Sequence, residues 1–238
     1  MDWGKTKSIL IITFLLLNIL LGYQLFLKYD ESDYKFWGQM SEKEIQELLT
    51  EHRIIMTANI PKDKPSMNFI RANVISSTGV LPFKAADYEN ITEDIIRLAL
   101  ADKVGNIDEF VLDKAASSPG DQYFHQEKSG FPIFGGQLIV ELTNNKELSY
   151  QQDYFEVVGE GAELKIISAM NALKDAIDLR LIPDNSEIES LTLGYYGEGI
   201  RSLLYEIPPV WRVVYKADNI INVLHINAFT GENVLKLG

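Results

Sequence analysis

The stretch SILIITFLLLNILLGYQLFL, Ser8 to Leu27, is twenty residues without a charge. At about 1.5 Å of rise per residue a helix of that length covers the roughly 30 Å hydrocarbon layer of a bilayer. A buried core helix rarely needs so much apolar length. A secretory signal has a shorter apolar region and a small-residue cleavage site, whereas this run ends Leu25-Phe26-Leu27-Lys28-Tyr29-Asp30 with nothing of the A-x-A kind nearby. The segment therefore reads as an uncleaved transmembrane anchor. Lys5, Lys7 and the amino terminus precede it, while Lys28 is answered by Asp30, Glu31 and Asp33. The positive-inside rule then places the short tail in the cytoplasm and the rest of the chain outside the cell. Trp3, Tyr23 and Tyr29 stand where amphipathic rings favour the headgroup layer.

The whole chain carries a net charge of −12. The part beyond the anchor is more acidic still, because Lys5, Lys7 and Lys28 are left behind and only Asp2 goes with them. Such a surface is repelled by phosphate polymers, which excludes nucleic acid as a partner. With 46% hydrophobic and 24% charged residues the remainder is an ordinary globular composition. There is no cysteine, so disulfides, thiolate metal sites and cysteine nucleophiles are excluded.

The organisation expected is a cytoplasmic tail over 1–7, a transmembrane helix over 8–27, a stalk over 28–40, and two lobes over 41–160 and 161–238. Ser41 and Glu44 form a capping-box signature that opens a helix carrying Ile45, Leu48 and Leu49 on one face. Ile54–Ile60 and Phe69–Ile75 read as a strand pair about the Pro61–Pro65 turn. A second helix is expected over 92–103, its buried stripe made of Ile91, Ile95, Ile96, Leu98 and Ala99, with Gly105 as the stop. Four strand signals follow, in DEFVLDKAA, QYFHQEKSG, PIFGGQLIVELT and LSYQQDYFEVV, with turns at Pro119-Gly120 and Asn144-Asn145. A third helix over 164–181 places Ile166, Met170, Leu173 and Ile177 on one side and stops at Pro183. Four more strand signals close the chain: ESLTLGYYG, RSLLYEI, PVWRVVYKA and INVLHINAFTGENVL. Helix followed by four strands, twice, predicts an α+β fold of two related lobes, each an antiparallel sheet with helices packed on one face.

Candidate chemistry is sparse. His52, His125 and His225 lie on a helix end and two separate strands, with no two-ligand helical spacing, so no metal site is expected. No nucleophile elbow, S-x-x-K pair or phosphate-binding glycine loop occurs, and no cofactor is implied. Gly135-Gly136 reads as a bulge, and GYYGEG, from Gly194 to Gly199, as an exposed turn with Tyr195 and Tyr196 available for contacts. Glu93, Asp94, Asp108, Glu109, Asp113 and Glu198 are candidate carboxylates for acid/base work. Among 34 acids close pairs arise by chance, and Glu93 and Asp94 already have a role against a helix dipole. No catalytic residue is assigned. The unusual polar groups are in the anchor: Asn18 and Gly22 are one turn apart, with Gln24 partway round. A carboxamide in lipid favours a neighbouring helix that hydrogen-bonds it, and glycine lets two backbones approach. These three are the candidate partner-binding face.

The opening MDWGKTKSILIITFLLLNILLGYQ, together with QYFHQEKSGFPIFGGQLIVEL and WRVVYKADNIINVLHINAFTGENV, resembles the YycI (WalI) family of Gram-positive bacteria. The resemblance implies a non-enzymatic, single-pass membrane protein. Its implied partners are a YycH-like protein and the sensor histidine kinase of the WalK/WalR two-component system, which controls cell-wall metabolism. It also implies a fold like the repeated α+β lobes of YycH, similar in element order to PepSY-type modules. The sign of regulation differs within the family and is not carried over. Two other readings stay open. One is an extracytoplasmic module that senses a wall fragment or peptide in a cleft where Trp211, Tyr195 and Tyr196 cluster. The other, a wall hydrolase, is disfavoured because no nucleophile, base and orienter assemble.

Overall fold

The computed structural model describes residues 7, 10–24, 41–61, 66–82, 92–114, 116–118, 120–143, 147–197 and 205–234. The stalk, the turns at Pro61–Pro65 and Asn144-Asn145, and Ile91, Pro119 and Glu198 lie wholly or partly outside them.

Residues 10–24 form helix α1. Among the described residues no helix is long and apolar enough to cross a membrane. Residues 8, 9 and 25–27 of the expected span lie outside the described set. Helix α2 (Glu42–Glu51) begins as its capping signature requires: Ser41 accepts from the Glu44 N–H, and Glu44 accepts from the Ser41 N–H at 2.7 Å. Helix α3 spans Glu93–Leu100, and a 3₁₀ turn over Ile107–Glu109 leads from it into the sheet. Helix α4 is Ala169–Asp178. It starts later than the periodicity predicts because Ser168 caps the Asn171 N–H at 3.1 Å, while Leu164 and Lys165 complete a strand.

The strands are β1 (Ile55–Met56), β2 (Ser66–Pro82), β3 (Phe110–Leu112), β4 (Asp121–Lys128), β5 (Phe131–Leu142), β6 (Glu147–Lys165), β7 (Glu187–Tyr196), β8 (Tyr205–Ile207), β9 (Pro209–Ala217) and β10 (Ile220–Asn227). They join in one sheet of ten strands, ordered β10-β9-β7-β5-β6-β2-β8, with β1 beside β7 and β3-β4 attached to β5. The protein is mostly sheet with a few helices. Pairing is antiparallel except for β1 with β7 and β5 with β7.

Several expectations are corrected. The segments 54–60 and 69–75 are not a hairpin: β1 pairs in parallel with β7, and β2 pairs with β6 and β8. The expected boundary at 160/161 falls inside β6, so two separate sheets are replaced by one. The helices do not share a face. Tyr154 and Phe155, adjacent on β6, enter different cores, as strand alternation demands. Helices α2 and α4 pack in the Phe155 core with Trp211, Val213 and Ile188. Helix α3 packs in the Tyr154 core with Phe110, Phe124 and Leu138. The helix-then-four-strands order does recur, but the pairing differs. After α3 the strands pair consecutively, whereas β7 pairs with β9 and β8 crosses to β2. On α3 the buried residues are Ile96 and Leu100, and Leu98 is 82% exposed. On α4 the expected Leu173 and Ile177 are buried, together with Ala172 and Ala176.

Candidate functional site

Asn18, Gly22 and Gln24 all lie on α1, and every described residue of that helix is exposed. A side chain built at Gly22 meets no atom within 4 Å. The three are thus held by helical geometry on an open surface, surrounded by exposed Leu15, Leu17, Ile19 and Leu21.

A second feature, which sequence reasoning missed, is a groove of about 1590 Å³. One wall is the face of β7, β9 and β10 turned away from α4. On β9, Trp211 and Val213 point into the core, so Arg212 points into the groove. The same alternation turns Thr192 of β7 and His225 of β10 outward, and register places both directly beside Arg212. Thr192, Arg212 and His225 therefore form a row across three strands. The Arg212 guanidinium lies over the Phe134 ring at 5.1 Å, and the Tyr196 ring stacks on His225 at 4.0 Å. Burial pushes the Arg212 pKa down, and Asp113 partly offsets that. The groove is also lined by Asp113, Glu127 and Asp153 and by Tyr123 and His125.

The floor is shaped by the expected bulge. Gln137 of β5 faces His125 of β4 and Ile133 faces Gln126, so residues 134–136 are extra on β5. Gly135 takes φ +99°, a region that favours glycine. The bulge divides β5 between its two neighbours, Ile133 and Phe134 pairing with β7 and Gln137–Leu142 with β6. It also withdraws β5 from Phe155. There Gln126, fully buried, takes over: its Oε1 accepts from the Phe155 N–H at 2.8 Å, and its Nε2 donates to the Phe155 carbonyl at 2.9 Å.

Of the aromatic residues expected in a cleft, Tyr196 lines the groove. Trp211 is instead buried in the core with its Nε1–H on the Ile167 carbonyl at 3.0 Å, and Tyr195 packs in that core as well. The candidate carboxylates are dispersed. Glu93 pairs with Arg97 at 2.7 Å, Asp94 and Asp108 are exposed, and Asp113 reaches the groove. Glu109 accepts from the Tyr154 hydroxyl at 3.1 Å. Burial, then the Glu109 charge, pushes the Tyr154 pKa up to about 12. His52 is 2.8 Å from Asp184, and this hydrogen bond holds the Asp184 carboxyl below the usual range. Among the described residues no group of three or more His, Asp or Glu stands together to hold a metal ion.

The family model for YycI protein matches residues 74–229. The chain belongs to the YycI family. The matched span of this YycI chain runs from the middle of β2 past the end of β10 and contains the row Thr192, Arg212 and His225. Among curated proteins none matches. Two solved structures are similar at low identity. One is an uncharacterized protein from Eubacterium rectale, 16% identical, TM-score 0.38, over 82% of this chain and 56% of that one. This chain thus spans little more than half the length of that relative. The other is the Bacillus megaterium YpeB C-terminal domain, 10% identical, TM-score 0.40, over 82% of this chain and 95% of that one.

Proposed function

We propose that this YycI-family chain is a non-enzymatic, single-pass regulator of a WalK-like sensor histidine kinase, acting together with a YycH-like protein. Residues 8–27 span the membrane, the amino terminus is cytoplasmic, and the sheet region lies outside the cell. Family membership supports the regulatory role. The observation that carries the membrane contact is α1 itself. Its described residues are all exposed and most of them are apolar, and such a helix belongs in lipid or against other apolar helices. Within that surface Asn18 and Gly22 form the face suited to a kinase helix, while Gln24 lies about 120° round the helix from Asn18 and is a separate polar contact.

The test is co-purification of the kinase from membranes holding wild-type, Asn18→Leu or Gly22→Leu protein, with the phosphorylation state of the WalR-like regulator read in parallel. Association weakened in both variants supports the proposal. Unchanged association with unchanged signalling removes the helix contact. Reporter fusions at each terminus check the orientation.

A further inference from the structure

The groove has no part in the helix contact just proposed, yet its lining carries groups of both charges. Thr192, Arg212 and His225 stand in register on adjacent strands about 5 Å apart, bringing a hydroxyl, a planar guanidinium fork and an imidazole to one line. Among the described residues Arg212 makes no hydrogen bond or ion pair, its close contact being the face of Phe134 at 5.1 Å. A guanidinium steadied on a ring and turned into a cavity is a ready partner for a carboxylate or phosphate. The same groove is lined by Asp113, Glu127 and Asp153, which repel a polyanion and attract an ammonium group.

We propose that this groove binds an extended zwitterionic peptide, with a carboxylate on Thr192, Arg212 and His225 and an amino or guanidino group toward Asp113, Glu127 and Asp153. At about 1590 Å³ the cavity exceeds the range usual for small ligands, which suits a chain of several residues. A glycan is disfavoured by the aromatic surfaces. Sugars stack on open rings, but beside the Thr192, Arg212 and His225 row the Phe134 face is taken by Arg212 and Tyr196 is stacked on His225 and 6% exposed. Among the described residues of the lining a phosphate polymer has one cation, Arg212, to meet and is repelled by Asp113, Glu127 and Asp153, to which it offers no positive group.

The experiment uses the full chain in lipid nanodiscs and a fluorescent pool of hexapeptides carrying one glutamate and one lysine at every spacing, read by anisotropy. Saturable binding is expected from members of the pool. It weakens by about tenfold or more in Arg212→Gln, as loss of a charge-assisted hydrogen bond implies, and when the peptide glutamate becomes glutamine. Arg212→Lys restores part of it, since it keeps the charge and loses the fork. Melting temperature is measured alongside. If Arg212→Gln does not fold, Thr192→Val reads the same site and also weakens binding. Three outcomes overturn the proposal: no pool member binds; binding is the same in Arg212→Gln or, should that variant not fold, in Thr192→Val; or poly(glycerol phosphate) or a neutral glycan binds while the peptides do not.

Discussion

The side-chain amide of Gln126 hydrogen-bonds both the N–H and the carbonyl of Phe155, at 2.8 and 2.9 Å, in the place a backbone neighbour on β5 has vacated. The two groups of one residue in an antiparallel strand face the same neighbour, so withdrawal of β5 leaves both open at once. A carboxamide, with one acceptor and one donor set apart like those of a peptide, fills both.

Gln126→Leu leaves two buried backbone groups without partners, and each such loss costs about 1–3 kcal/mol. The expected outcome is a destabilisation of about 2–5 kcal/mol, measured by denaturant unfolding. Gly136→Ala acts on the same bonds, since an added Cβ lies 2.6 Å from Gln126 Oε1 and 3.1 Å from Phe155 Cδ2. The double variant should lose less than the sum of the two, because the second change removes an interaction already broken. Strict additivity sinks this account.

Arg97 ties α3 to the start of β3. It donates to the Ile107 carbonyl at 2.9 Å and to the Phe110 carbonyl, while Glu93 holds its other side at 2.7 Å and Phe124 lies under it at 5.5 Å. Arg97→Met keeps the stem and loses the fork, for an expected cost of about 2–3 kcal/mol and faster amide exchange in β3. Glu93→Gln should cost under about 1 kcal/mol, because that pair is partly solvated. Equal effects from the two changes contradict the assignment of the carbonyl bonds as the main contribution.

Tyr154 sets an alkaline limit. Its folded-state pKa of about 12 stands above the 10.0 of an ordinary tyrosine, through burial first and the charge of Glu109 second. The neutral phenol is the form the fold favours, so its contribution is fully present below pH 10 and is lost as pH rises to about 12. Tyr195 and Tyr215 are shifted upward as well, both by burial, and act in the same direction. Stability followed by urea melts should fall between those limits, and Tyr154→Phe should make the fall shallower. A profile unaffected by that substitution refutes the linkage.

Local signals in the chain were faithful where one residue decides locally. The Ser41 and Glu44 cap, the Gly135-Gly136 bulge and the strands Asp121–Lys128, Phe131–Leu142 and Pro209–Ala217 all follow from neighbours a few positions away. Pairing was not legible in the same way. That β6 serves both cores depends on Tyr154 and Phe155 joining clusters drawn from distant parts of the chain, Phe110 and Phe124 in one and Ile188 and Trp211 in the other, and hydrophobic alternation looks the same for one sheet as for two. The groove was hidden for the same reason. Alternation around Trp211 turns Arg212 away from the core, but its position beside Thr192 and His225 exists only in the register of three strands. The α1 residues are the opposite case, since Asn18 and Gly22 share a face by helical arithmetic alone.

The chain has no cysteine, so single cysteines along α1 report without background. At 100° per residue Ile11, Leu15, Asn18 and Gly22 lie within one narrow sector, and Leu16 and Leu20 lie opposite. Polar and small-residue contacts between membrane helices contribute roughly 0.6–2 kcal/mol each, enough to bias which face docks but not to lock it. Cross-linking to the kinase in native membranes should therefore be strongest at the first four positions and weakest at the other two, with a period near 3.6. Asn18→Leu should flatten the pattern without abolishing membrane retention, because the apolar length of the helix is unchanged. A pattern centred on Leu16 and Leu20 places the contact on the face that carries Gln24 and rejects Asn18 as its organiser.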